Sequence, residues 1–320
     1  MSFTKVIKIR SSYAIEVENL KKIFRTPGDR EGTTILSDVT FDLPAGSSVA
    51  VTGENGSGKT TLLKVLATLY LPDSGNCRIL GMDLVKEARS IRENVSFVSP
   101  GLDFQRKLTL NENLTFFAKV QNSSLENAYR FLESMELTFK LDDRTETFSE
   151  GQKAITRLAI GLMKDSDILF LDEVTLGLDV NRKEQVINYI KSELNHKTIL
   201  IIDHDSTVID RLCDTILILK SGGYVDRMLS IKELLATLPY SHEITAVPIR
   251  ILNEREIKQL WPHFTKTGGT IKFHAKTRSE AQIINTRILS SGFISRAETK
   301  IVDLNDYAIR ISQNSLNEGF

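Results

Sequence analysis

The sequence has no excess of either charge: 41 Lys and Arg balance 41 Asp and Glu over 320 residues. Without a basic surplus a chain has no general attraction to nucleic acid or acidic lipid, so no nucleic-acid partner is expected. No charged tail is hidden in that balance, since residues 240–320 carry eleven Lys and Arg against eight Asp and Glu. Cysteine is nearly absent. Cys77 and Cys213 lie far apart and read as reduced thiols of a cytoplasmic protein, not as a disulfide framework. No apolar run approaches the ~18 residues that cross a bilayer. The opening MSFTKVIKIRSSYAIEVENL has no apolar core of signal-peptide length, so any membrane role is expected to act through a partner. Internal repeats, low-complexity tracts and the N-K-x-D pattern of guanine readers are missing too. His196, His242, His263 and His274 show no metal-ligand spacing and read as structural.

What is present is an ordinary globular composition, 41% hydrophobic and 26% charged, on a chain long enough for two domains. Residues 15–43 alternate as strands do, with Val39, Phe41 and Leu43 on one face, around a turn-rich loop RTPGDREGTT. In KTTLLKVLATLY, Leu62, Leu63, Leu66 and Leu69 recur at helical spacing. Over 100–165 helical patterns dominate, and Ile155, Leu158, Ala159 and Leu162 form one apolar stripe. DILFLDE and KTILIIDHD are continuous apolar runs ending in acids or His, the pattern of central parallel strands buried on both faces. DTILILKSGGYVDRM reads as a hairpin with a Gly-Gly turn. Beyond a boundary near residue 242 a smaller α/β unit is expected: strand, helix (NEREIKQLW), strand (GTIKFHA), helix (SEAQIINTRIL), strand (GFISRAETKI) and a short helix (DLNDYAIRI).

GENGSGKT at 53–60 fits G-x-x-x-x-G-K-[ST] between a predicted strand and a predicted helix. Such a loop wraps Gly53, Glu54, Asn55, Gly56, Ser57 and Gly58 so that successive N–H groups and the helix N-terminus face a phosphate. Lys59 would supply the β/γ-phosphate cation, Thr60 a Mg²⁺ ligand, and Thr61 a contact toward the α-phosphate. Asp172, at the end of ILFLD, would hold Mg²⁺ through a water. Glu173 beside it would polarise the attacking water as general base. His204 closes the next apolar run; the resemblance to P-loop ATPases, in most of which that strand neighbours the one bearing the acids, implies that it would reach the γ-phosphate and sense hydrolysis.

Taken together, these elements resemble the nucleotide-binding subunit of ABC transporters, exporter type, over residues 15–228. Phe24 matches the aromatic that stacks on adenine, Asp179 in LGLD the acid of the D-loop, and His204 the switch His. FSEGQ at 148–152 matches the signature usually written LSGGQ. The resemblance implies an α/β fold: a P-loop NTPase cassette with a mixed sheet core, an antiparallel β subdomain and an α-helical subdomain over about 100–165. The cassette would span 12–242, with a small α/β accessory domain over 243–320. It further implies an ATPase that uses ATP and Mg²⁺ and drives a separate integral-membrane permease from the inner face of the membrane. Two subunits, identical or paired, would close head to tail, with Ser149, Gly151 and Gln152 of one contacting the nucleotide held by the other.

The pattern is broken at two positions. Glu150 stands where the signature has its first glycine, and a carboxylate there needs to point away or find a cation. Pro100 stands where the family's Q-loop has Gln, and proline offers neither an amide side chain nor a backbone donor; Gln105 is the nearby substitute. Weaker metal coordination and a slow basal ATPase are expected. Val174 makes the usual DEPT into DEVT. Residues 243–311 resemble the accessory tail of exporter ATPases. The alternatives are a soluble non-transport ABC ATPase and a weakly hydrolysing nucleotide sensor. Against the first stand the single cassette and zero net charge; against the second, the retention of Glu173 and His204.

Overall fold

The computed structural model describes residues 13–25, 31–237, 240–267 and 269–302. The chain forms two compact units that divide between Leu229 and Ser230, ahead of the sequence-based boundary near 242. The helix Ile231–Ala236, inside the 12–242 expected for the cassette, falls on the far side of that division. Ser230 starts it with a capping box, its hydroxyl accepting from the Glu233 N–H while Glu233 accepts from the Ser230 N–H.

In the first unit, β1 (Tyr13–Phe24) and β2 (Thr33–Pro44) are antiparallel, with Ile15 opposite Leu43, Val17 opposite Phe41 and Leu20 opposite Val39. All six are buried, which is what the period-2 alternation demands. Residues 26–30 of the expected loop lie outside the described residues. Next come β3 (Ser48–Thr52), α1 (Lys59–Leu66), β4 (Ser74–Ile79), β5 (Met82–Asp83), α2 (Ala88–Asn94) and β6 (Val95–Val98). The first sheet has the order β2-β1-β4-β5. Helix α1 buries Leu62, Leu63 and Leu66, but it ends there. Leu69 lies beyond it and is 53% exposed, so the apolar stripe expected from the sequence stops one turn early.

The helical subdomain contains α3 (Leu110–Gln121), α4 (Glu126–Ser134) and α5 (Glu150–Leu162). Helix α5 buries the predicted stripe together with Ala154, Ile160 and Gly161. Gly161 is required by proximity: a Cβ there would lie 2.1 Å from Val98 Cγ2, so α5 rests directly on the end of β6. Then follow β7 (Ile168–Asp172), α6 (Val180–Glu193), β8 (Thr198–Ile202), α7 (Ser206–Leu212), β9 (Thr215–Lys220) and β10 (Tyr224–Ser230). The core sheet runs β10-β9-β3-β8-β7-β6, and β9, β3, β8, β7 and β6 are parallel neighbours. Strands β7 and β8 are buried throughout and end level, with Asp172 opposite Ile202. Residues that follow these two strands therefore emerge side by side at the carboxyl edge of the sheet.

The second unit holds α8 (Ile231–Ala236), β11 (His242–Pro248), α9 (Glu254–Leu260), β12 (Phe264–Thr267), β13 (Thr270–Ala275), α10 (Arg278–Ser290) and β14 (Ile294–Ile301). Its sheet, β12-β13-β11-β14, is antiparallel throughout. From β11 on, this is the split β-α-β-β-α-β arrangement of ferredoxin-like folds. Ile244, Ala246, Ile257, Ile271, Phe273, Ile284 and Ile288 form its core. Strand β12 is not expected from sequence. FTKT is too short to show alternation, and only pairing with β13, Phe264 opposite Phe273, makes it a strand. The expected helix DLNDYAIRI lies outside the described residues. Among the described residues no helix is long and apolar enough to cross a membrane.

Candidate active site

Between β3 and α1 the chain turns through 53–58 with Gly53, Gly56 and Gly58 all at positive φ. Two of these glycines are also required by space. A Cβ on Gly53 would lie 2.0 Å from the Leu219 carbonyl oxygen, and one on Gly58 2.9 Å from that of Ile35. Residues 53–56 are exposed, whereas Ser57 is buried and its N–H donates to the Glu54 carbonyl at 3.2 Å. The Lys59 ammonium donates to the carbonyls of Gly53 (2.8 Å) and Glu54 (2.9 Å), bracing the loop from inside. Burial lowers the Lys59 pKa, while the charges of Glu173 and Asp172 act to raise it, so both acids reach this ammonium electrostatically. The Ser221 hydroxyl, in the turn between β9 and β10, donates to the Glu54 carboxylate.

Thr60, at the start of α1, donates its hydroxyl to Asp172 Oδ1 at 3.2 Å, joining residues 112 positions apart. Asp172 is 5% exposed. Burial pushes its carboxyl pKa up and Glu173 adds to that, against the Thr60 bond and the nearby lysines. Glu173 has φ 50, a left-handed conformation costly for a side chain of this size, and its N–H still pairs with the Ile202 carbonyl at 2.8 Å. Its carboxylate meets His204 Nε2 at 3.1 Å. The two sequence-predicted groups at neighbouring strand ends are thus in direct contact.

The other predicted residues sit as follows. Phe24 is 38% exposed at the end of β1 and edge-on to Tyr70, with ring centroids 5.3 Å apart. Ser149 caps α5 in a capping box with Gln152, so both side chains are engaged within that turn. Gly151 packs where a Cβ would lie 3.2 Å from the Gly177 carbonyl oxygen. Glu150 has found its cation: Lys153 bonds it at 2.7 Å and holds its carboxyl below the usual range. Asp179 caps α6, accepting from the Arg182 N–H at 2.9 Å. Thr61 is half-buried in the first turn of α1. Gln105 is tied through its backbone to the buried Asn113 side chain, its N–H donating at 2.8 Å and its carbonyl accepting at 3.0 Å. That anchors its main chain to α3. A cavity of about 250 Å³ is lined by Pro100, Glu150, Arg157, Glu173, Val174 and Leu176, bringing both departures from the family pattern beside the acid.

Sequence reasoning passed over three residues of this edge: Thr175, Asp203 and Ser221. The signal for Asp203 was present, an acid at the end of an apolar run, but the His beside it drew the assignment.

A family model described as ABC transporter matches residues 36–176. The linearmycin resistance ATP-binding protein LnrL of Bacillus subtilis is 30% identical over 217 residues, 66% of this chain and 68% of that protein. The Nod factor export ATP-binding protein I of Burkholderia lata is 33% identical over 213 residues, 65% of this chain and 68% of that protein. Among solved structures, a dimeric bacterial ABC transporter cassette is 25% identical with a TM-score of 0.60, covering 68% of this chain and 98% of its own. A bacterial Atm1-family ABC exporter with ATP bound gives 25% and 0.60, covering 69% of this chain and 40% of its own.

Proposed function

The chain belongs to the ABC transporter family of ATP-binding proteins, and from that premise we propose that it powers an exporter: it hydrolyses ATP at the cytoplasmic face of a membrane and drives a separate permease. The observation that carries the chemical part is the meeting of four side chains, Thr60 with Asp172 and Glu173 with His204, at the strand edge facing Lys59. Export as the direction of transport rests on the relatives, whose names speak of drug resistance and export.

In this reading the loop 53–58 and the N-terminus of α1 bind the phosphates, Lys59 turns from its own carbonyls to the β/γ-phosphates, and Phe24 stacks on the adenine. Thr60 and Asp172, a hydroxyl and a carboxylate, are the hard oxygen donors that Mg²⁺ takes, and when bound that ion neutralises charge on the phosphate oxygens. Glu173 accepts the proton of the attacking water, and His204 holds the Glu173 carboxylate in place. Ser149 and Gly151 at the start of α5 offer a second anion-binding corner for a paired subunit's nucleotide. The Lys153 partner of Glu150 removes the charge conflict that this corner would otherwise carry.

Glu173→Gln tests the reading. With ATP it is expected to run in gel filtration at ~72 kDa, twice the 36.0 kDa chain, and to lose hydrolysis by at least about a hundredfold. A variant that stays monomeric with ATP would sink the paired-site model. Recovery of a multi-spanning membrane protein with the wild-type chain from solubilised membranes tests the permease.

A further inference from the structure

The contact between Glu173 and His204 joins two short loops, one after β7 and one after β8. A second contact lies directly behind it. The Thr175 hydroxyl donates to Asp203 Oδ2 at 2.7 Å, and the other oxygen of Asp203 accepts the Asp205 N–H at 2.9 Å. Thr175 is two residues past Glu173 and is 2% exposed; Asp203 immediately precedes His204. Lys183 on α6 pairs with Asp205 at 2.8 Å, and Asp205 caps α7 through the Thr207 N–H, so the far side of the clamp is fastened as well. On the near side the Glu173 N–H is bonded to the Ile202 carbonyl. We propose that Thr175 and Asp203 are positioning residues for hydrolysis: their hydrogen bond ties the two loops together and sets the distance between Glu173 and His204. The inference rests on the assignment of Glu173 and His204 as the hydrolytic pair.

Burial pushes the Asp203 carboxyl up, against the two hydrogen bonds it accepts. An acid kept at an unfavourable depth, with both oxygens used, signals a geometric task. The bond also spans the two strand ends where the reacting groups must stay within hydrogen-bond reach, and small displacements there are amplified in rate.

The experiment is steady-state ATP hydrolysis by the full chain with four variants: Thr175→Val, Thr175→Ser, Asp203→Ala and the double Thr175→Val/Asp203→Ala. Thr175→Val keeps the shape and removes the hydroxyl. It is expected to lower kcat about tenfold with KM for ATP within about twofold, and Thr175→Ser to restore the rate. Asp203→Ala is expected to lose at least as much, since it removes the acceptor of both the Thr175 hydroxyl and the Asp205 N–H, and the double variant to be no slower than Asp203→Ala. Wild-type kcat in Thr175→Val, or a double variant whose loss is the product of the singles, overturns the proposal. If Thr175→Val does not fold, as judged by its melting curve, Asp203→Ala carries the same test. Glu173→Gln run alongside separates the levels. Full activity there removes the hydrolytic pair itself, whereas an inactive Glu173→Gln beside a normal Asp203→Ala removes only the clamp.

Discussion

Glu173 shows how much a single position can be asked to hold. It lies at φ 50, donates its N–H to Ile202, and directs its carboxylate at His204. Strain of that kind costs on the order of 1–3 kcal/mol and persists only where neighbours over-determine it. Gly53 presents the opposite constraint, since it is glycine because nothing larger fits. Gly53→Ala, whose Cβ would fall 2.0 Å from a main-chain oxygen, is expected to weaken ATP binding by at least about tenfold. Gly56→Ala, with nothing within 4 Å of its Cβ, meets only the strain of its left-handed backbone at φ 82 and is expected to cost less; titration with a fluorescent ATP analogue compares them. Pro100 lines the cavity beside Glu173 and brings no side-chain amide to it. Pro100→Gln is expected to raise the basal hydrolysis rate, measured by phosphate release, because it puts an amide where the cavity beside Glu173 has proline. All four positions are visible in the sequence as motif letters or as departures from them, but the Lys153 partner that neutralises Glu150 is not singled out by any pattern.

Among the elements, the end of β1 matters most for the adenine side of the site. Asp73, just before β4, accepts from the Ile23 N–H (2.8 Å), from Lys22 (3.1 Å) and from Arg25 (2.9 Å), fixing the strand end on which Phe24 stands. Desolvation pushes this carboxyl up, but those hydrogen bonds and charges outweigh it and hold the pKa at about 2, against an ordinary 3.8. A depressed pKa adds stability that is complete above the ordinary value and is lost as pH falls through the native one. Asp73→Asn is therefore expected to melt below wild type at neutral pH, with the gap closing between 3.8 and about 2, as followed by circular dichroism. Sequence periodicity located most of the elements around this corner. It overran α1 to Leu69 because the tally of leucines cannot see where the helix stops, and it missed β12, whose four residues become a strand only through their partner.

At the scale of the whole molecule, the two units carry separate cores, one built on the first and core sheets and one on the split β-α-β sheet. A fragment beginning at Ser230 is expected to fold alone, giving a cooperative melt, since its core draws only on its own residues. For the first unit, the sequence by itself determined the glycine-rich turn at 53–58 and the acids Asp172 and Glu173 that close an apolar strand. These depend on chemistry carried by a few adjacent residues. Only the tertiary structure decided that Thr60 meets Asp172, that Glu173 meets His204, and that Thr175 and Asp203 lie behind them. The second and third of these meetings follow from the parallel register of β7 and β8, which is set by hydrogen bonds between segments 30 residues apart (Asp172 opposite Ile202) and by burial on both faces. No local pattern encodes that register, because a strand buried throughout presents the same apolar face to every alignment of its neighbour.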